Sequence, residues 1–117
     1  MNVLVVEDSE PVACITTEYL RELGHEALVA DSAERALILV KDTAFDAVIA
    51  DISLPGMSGI QLARALLVSN PELPIIISSG YQMTALDIST VTMLPKPYDL
   101  PELELALAKA GQLRGSA

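Results

Sequence analysis

Apolar residues along this chain fall into two alternating patterns. The first is a set of short runs: Asn2–Val6 (NVLVV), Glu26–Ala30, Asp46–Ala50 (DAVIA), Pro74–Ser78 (PIIIS) and Val91–Leu94 (VTML). Continuous Val/Ile runs of this length predict strands buried on both faces, as in a parallel sheet. The second pattern has apolar residues three and four apart, the spacing of one face of a helix. It predicts helices over Pro11 to Leu23, Asp31 to about Lys41, Ser58 to about Val68 and Asp99 to Ala110. Asp8 or Ser9 would cap the first, and Gly24 would stop it. Asp31 with Glu34, Ser58 with Gln61 and Asp99 with Glu102 have the spacing of a capping box. Residues 60, 62, 63, 66 and 67 make the apolar face of the third stretch; Leu103, Leu107 and Ala110, with Glu102, lie on one side of the last. Tyr81–Thr90, rich in Ser, Thr and β-branched residues, leaves room for a short or irregular fourth helix.

Strand–helix alternation repeated in this way predicts an α/β fold with right-handed crossovers. With 117 residues and 51% of them hydrophobic, the chain has one core's worth of material, and a single domain over 1–117 is expected. The formal charge is −9, from 7 basic and 16 acidic residues. Such a chain repels phosphate backbones and anionic membrane surfaces, so neither nucleic acid nor membrane is an expected partner. The longest stretch without a charged residue, 73–86, is 14 residues long and interrupted by Pro74 and Gly80, too short to span a bilayer. No basic segment followed by an apolar run opens the chain. Cys14, the single cysteine, permits no internal disulfide. Both features suit a cytoplasmic protein. On the first helix Cys14 reads as a small packed hydrophobe.

Open α/β sheets collect their working residues at the carboxyl ends of the strands, beside the point where strand order reverses. Here the first strand ends in Glu7-Asp8, the third in Asp51, the fourth in Ser78-Ser79-Gly80 and the fifth in Lys96. In a doubly wound five-stranded sheet of order 2-1-3-4-5, Asp8 and Asp51 face each other and Ser79 and Lys96 flank them. Three crowded carboxylates need cationic company. Lys96 supplies one charge, and the remaining deficit suits Mg²⁺ held by oxygen ligands. A carboxylate beside Mg²⁺ can attack phosphorus and form an acyl phosphate, with a hydroxyl and an ammonium binding the transferred oxygens.

The stretches Val5-Val6-Glu7-Asp8-Ser9, Asp51-Ile52-Ser53-Leu54-Pro55-Gly56-Met57-Ser58-Gly59, Ile77-Ser78-Ser79-Gly80-Tyr81 and Lys96-Pro97 occur in that order. Together they resemble the response-regulator receiver domain of two-component signalling, from residue 2 to about 110. The resemblance implies the flavodoxin/CheY-like fold and a role for each matching position. Asp51 would accept the phosphoryl group. Asp8 would ligate Mg²⁺ directly, Glu7 mainly through water, and the Ser53 backbone carbonyl would be a further ligand. Ser79 would be the switch hydroxyl and Lys96 the ion-pair partner of the phosphoryl group. The Lys96–Pro97 bond resembles the cis peptide often found there. The side chains of Ser53 and Tyr81 stand where the family tunes phosphoryl lifetime.

Two departures accompany the resemblance. Met93 occupies a position that is usually aromatic, and methionine cannot present a ring with a polar tip. The segment between Ser79 and Lys96 is also shorter than usual, at the expense of the fourth helix. Partners implied are a histidine kinase or histidine phosphotransfer protein upstream and a protein target downstream. Beyond its own phosphorylation and dephosphorylation, no enzyme activity is expected.

Plainer readings stand beside these. Asp8 alone would be an N-cap, Asp51 a turn aspartate, Ser79 turn chemistry and Lys96 a surface lysine. Their convergence on one end of one sheet favours the joint reading. His25, beside Gly24, reads as a surface turn residue, and Tyr81 and Tyr98 as cover for the rim of the sheet. A phosphatase would want a second acid where Ser53 stands. A flavin carrier would want a Ser/Thr/Gly-rich loop where Glu7 and Asp8 stand. A docking module that works without phosphate, and a receiver cut from a hybrid histidine kinase, remain as alternatives. Val12, Ile15 and Tyr19 on the first helix, or the face near the fourth, would serve a partner or a homodimer.

Overall fold

The computed structural model describes residues 1–80 and 91–115, with side chains as far as Gly111. The elements are β1 (Asn2–Val6), α1 (Glu10–Glu22), β2 (Glu26–Ala30), α2 (Ala33–Asp42), β3 (Ala47–Asp51), α3 (Gly59–Ser69), β4 (Ile75–Ser79), β5 (Val91–Pro95) and α4 (Leu100–Gly115). All five strands are parallel, in the order β2-β1-β3-β4-β5. The alternation predicts an α/β fold with a parallel sheet, and the order is the doubly wound, flavodoxin-like one that the resemblance implies. The expected short or irregular helix over Tyr81–Thr90 lies outside the described residues.

Because side chains alternate across a strand, the central strands feed two cores. Leu4, Val6, Val48, Ala50, Ile75 and Ile77 face α2 and α3, where Ala36, Leu62, Ala63 and Leu66 meet them. Val3, Val5, Ile49, Ile76 and Leu94 face the other way, onto Leu20 of α1 and Leu103, Ala106, Leu107 and Ala110 of α4. Two-sided burial is why these strands read as unbroken apolar runs. Each fully buried Leu or Ile contributes about 1.5–3 kcal/mol relative to exposure.

Helix ends follow local chemistry in part: Ser9 stands at the α1 N-cap without a side-chain cap bond, α4 runs past the expected end at Ala110 to Gly115, and the α2 cap is shifted. Ser58 caps α3 by a true capping box: its hydroxyl accepts from Gln61 N–H and Gln61 Oε1 accepts from Ser58 N–H. Asp99 and Glu102 exchange the same reciprocal bonds ahead of α4. At α2 the cap is Ser32, not Asp31. Ser32 is extended (φ −151°, ψ 162°) and its Oγ accepts from Arg35 N–H at 3.1 Å. The cap thus belongs to the residue adjoining the first helical position, Ala33, and Asp31 stands one residue too early to fill it. Cys14 is also corrected: it is exposed. The buried stripe of α1 runs through Ala13, Thr16 and Leu20, and Cys14 is a 100° step away from it.

Candidate functional site

Strand order places the carboxyl ends of β1 and β3 side by side, and both carry acid. Glu7 continues β1 by donating its N–H to Ala30 O at 2.9 Å, which draws its side chain into the sheet end; the residue is 6% exposed. Asp8 follows on the surface. Asp51 is the last residue of β3. One carboxylate oxygen from each of Glu7, Asp8 and Asp51 lies within 4.8 Å of the others. This is the spacing at which a small divalent cation is shared between carboxylates.

Lys96 enters from the end of β5. Its N–H donates to Ser79 O at 2.7 Å, tying the segment to β4, and the Lys96–Pro97 peptide is cis. Its ammonium donates to Glu7 Oε1 at 2.8 Å and sits 3.3 Å from Asp51 Oδ1. The other Glu7 oxygen accepts from Ser9 N–H at 3.2 Å. Both Glu7 oxygens are therefore engaged within the protein; Lys96 is expected among these acids, but the Ser9 N–H contact is not. Asp51 also shares the Lys96 ammonium through one oxygen, while Asp8 stands exposed at the edge of the cluster.

Burial pushes the Glu7 carboxyl above its ordinary value, only partly opposed by the Lys96 and Ser9 hydrogen bonds. For Lys96, burial acts to lower the value, but the Glu7 hydrogen bond and the Glu7 and Asp51 charges outweigh it and hold the ammonium above its usual range. Lys96 is therefore a fixed positive charge at neutral pH.

The loop after β3 is shaped by Gly59. A Cβ there would lie 2.2 Å from Asp51 O, so the close passage of α3 beneath the acid requires glycine. Gly59 N–H also donates to Ile52 O at 3.0 Å. Ser53 is exposed in this loop, with Ser79 buried at the end of β4 and Met93 half-buried on β5. Tyr81 lies outside the described residues. Sequence reasoning missed a further pair: the Thr16 and Tyr98 hydroxyls are hydrogen-bonded to each other across 82 positions of sequence. The local signal was a threonine standing in the apolar stripe of α1.

Comparison with known proteins decides what kind of domain this is. The response regulator receiver domain family matches residues 3–108. This chain belongs to that family. The receiver domain shares 34% identity over 98% of its length with the response regulator protein FleR of Pseudomonas aeruginosa. It spans about a quarter (26%) of the length of that relative. Among solved structures, the receiver domain of the hybrid histidine kinase CckA is 31% identical, with a TM-score of 0.82 over 96% of this chain and 100% of that one. The response regulator TrrA of Thermotoga maritima, solved in complex with Mg²⁺ and BeF, is 28% identical, with a TM-score of 0.84 over 93% of this chain and 97% of that one. Receiver domains of two-component systems work with histidine kinases or phosphotransfer proteins. No helix among the described residues of this receiver domain is long and apolar enough to cross a membrane.

Proposed function

We propose that this receiver domain takes a phosphoryl group onto Asp51 from a histidine-phosphorylated kinase or phosphotransfer protein, in a Mg²⁺-dependent reaction. The observation that carries the reading is the convergence of Glu7, Asp8 and Asp51 with a single ammonium, Lys96, at the reversal point of the sheet. An Asp51 oxygen attacks phosphorus, the P–N bond to the donor imidazole breaks, and its electron pair returns to the ring nitrogen. Asp8, Asp51 and the Ser53 carbonyl would hold Mg²⁺, with Glu7 behind a water. When bound, Mg²⁺ supplies positive charge to both the carboxylates and the phosphoryl oxygens. Lys96 and the Ser79 hydroxyl would bind the other phosphoryl oxygens. Ser53 and Tyr81 would govern water's access to the acyl phosphate, and Met93 would repack as Ser79 moves.

Drawing Lys96 and Ser79 toward a new dianion would reshape the β4–β5 end of the molecule, where a protein target or a second copy would read the change. The domain would catalyse its own phosphorylation and dephosphorylation and no other reaction. Its setting would be the cytoplasm.

Acetyl phosphate with Mg²⁺ tests the reading by intact mass. A single phosphoryl adduct is expected, absent with EDTA and absent in Asp51→Asn. An adduct that survives Asp51→Asn would move the acceptor elsewhere. Mg²⁺ binding without an adduct would favour a docking module that works without phosphate.

A further inference from the structure

Lys96 is placed by more than its ion pairs. Two residues beyond it, Tyr98 reaches back to α1, where its hydroxyl meets that of Thr16. Thr16 is 1% exposed and stands between Ala13 and Leu20 on the buried stripe of the helix. A helical threonine commonly turns its hydroxyl to the carbonyl one turn back. The next residue does so: Thr17 Oγ1 donates to Ala13 O at 2.8 Å. Thr16 instead bonds across to the segment after β5. Thr16 is buried, and leaving its hydroxyl without a partner there would cost about 1–3 kcal/mol.

We propose that the Tyr98–Thr16 hydroxyl pair is a positioning contact for Lys96, fixing where its ammonium stands over Glu7 and Asp51. Lys96 lies between two anchors. On one side its own N–H is held by Ser79 O of β4 at 2.7 Å. On the other, the Tyr98 hydroxyl is held by α1. Helix α1 begins at Glu10, three residues after Glu7, the carboxylate that Lys96 binds. The pair therefore fixes the Lys96 segment against the helix that follows Glu7 and Asp8 directly in the chain. Small displacements of a charge-stabilising group are costly to reaction rates, and a support that locks the backbone beside such a group sets its precision. Tyr98 and Thr16 touch no reacting atom in this account and act through Lys96.

The inference about rate rests on Asp51 phosphorylation, so the test has one arm independent of it. In that arm, NMR follows the Lys96 ammonium in wild type, Tyr98→Phe, Thr16→Val and Thr16→Ser. The hydrogen-bonded Lys96 Nζ signal is expected to be displaced in Tyr98→Phe and Thr16→Val and restored in Thr16→Ser. An unmoved signal in folded Tyr98→Phe overturns the proposal, whatever happens at Asp51. In the second arm, acetyl phosphate labelling is measured at saturating Mg²⁺, with Mg²⁺ affinity measured separately by thermal shift. Tyr98→Phe and Thr16→Val should each slow maximal labelling by roughly 10-fold, with Mg²⁺ affinity unchanged. The double variant should be no slower than either single one, and Thr16→Ser should recover the rate. Equal loss of Mg²⁺ affinity and rate would mean general loosening of the fold and would overturn the positioning role. A wild type that takes no label would refute the Asp51 reading, while the Lys96 signal would still judge the contact itself.

Discussion

Replacing Lys96 by Met removes the ammonium from a cluster of three carboxylates while keeping an aliphatic stem of similar length. The gross attraction lost is large. At an effective dielectric of about 20, contacts of 2.8 Å to Glu7 and 3.3 Å to Asp51 correspond to roughly 6 and 5 kcal/mol. Desolvation of the ammonium and its partial exposure (side chain 22% exposed) cancel much of this. Protonation of Glu7 also sets a ceiling, because the group can discharge itself once its partner is gone. Even from its unperturbed value of 4.5, taking up a proton at pH 7 costs about 3 kcal/mol, and burial has already moved Glu7 toward that proton. The expected loss of stability is therefore about 2–3 kcal/mol at pH 7 without Mg²⁺, or a fall in Tm on the order of 10 °C. Thermal unfolding followed by circular dichroism, in EDTA and at saturating Mg²⁺, measures it. The deficit should shrink as pH falls toward the carboxyl range, because the raised Glu7 takes up its proton earlier than a free carboxylate, and Mg²⁺ should raise the Tm of Lys96→Met more than that of wild type. Equal Tm values for the two proteins in EDTA at pH 7 would refute the electrostatic account of the cluster.

Other consequences follow from the same geometry. Gly59→Ala places a methyl 2.2 Å from Asp51 O and forces α3 away from the acid, so urea unfolding should show a loss of about 2–4 kcal/mol, with slower acetyl phosphate labelling. Removing the Ser58 cap with Ser58→Ala should cost about 0.5–2 kcal/mol in the same assay and leave labelling intact. The raised Glu7 value has a definite sign: the native state holds this proton to higher pH than the unfolded chain does. Its contribution to stability is complete below the ordinary carboxyl range and lost as pH rises through the raised value. In EDTA, the urea midpoint of wild type relative to Glu7→Gln should therefore fall as pH rises from 4.5 upward; a flat difference would count against the burial of Glu7.

The fold was legible because its sheet is buried on both faces. Ile75, Ile76 and Ile77 stand in sequence on β4 yet divide between two cores, and that demand leaves an unbroken apolar run. The acids were legible for a related reason. Glu7, Asp8 and Asp51 immediately follow or end such runs, so finding the strands finds the sheet end where they gather. Contacts set by the closing of the fold were not legible. Thr16 and Tyr98 are 82 positions apart, and no local preference couples a helical threonine to a tyrosine beyond the last strand. The Lys96–Glu7 bond spans 89 positions; the crowding of the acids called for Lys96 nearby, but not for which carboxylate its ammonium would bond. At α2, Asp31 and Ser32 are both good caps, and the choice between them fell to where the backbone turns extended, a matter of one residue.

Reduction of the labelled protein with borohydride tests the central claim most directly. An acyl phosphate on aspartate is reduced to homoserine, which peptide mass spectrometry locates to a single position. After treatment with acetyl phosphate and Mg²⁺, homoserine is expected at position 51 and at none of the other acidic positions. Homoserine at position 8, or no conversion in a protein that carries the phosphoryl adduct, would contradict the assignment of Asp51 as the acceptor.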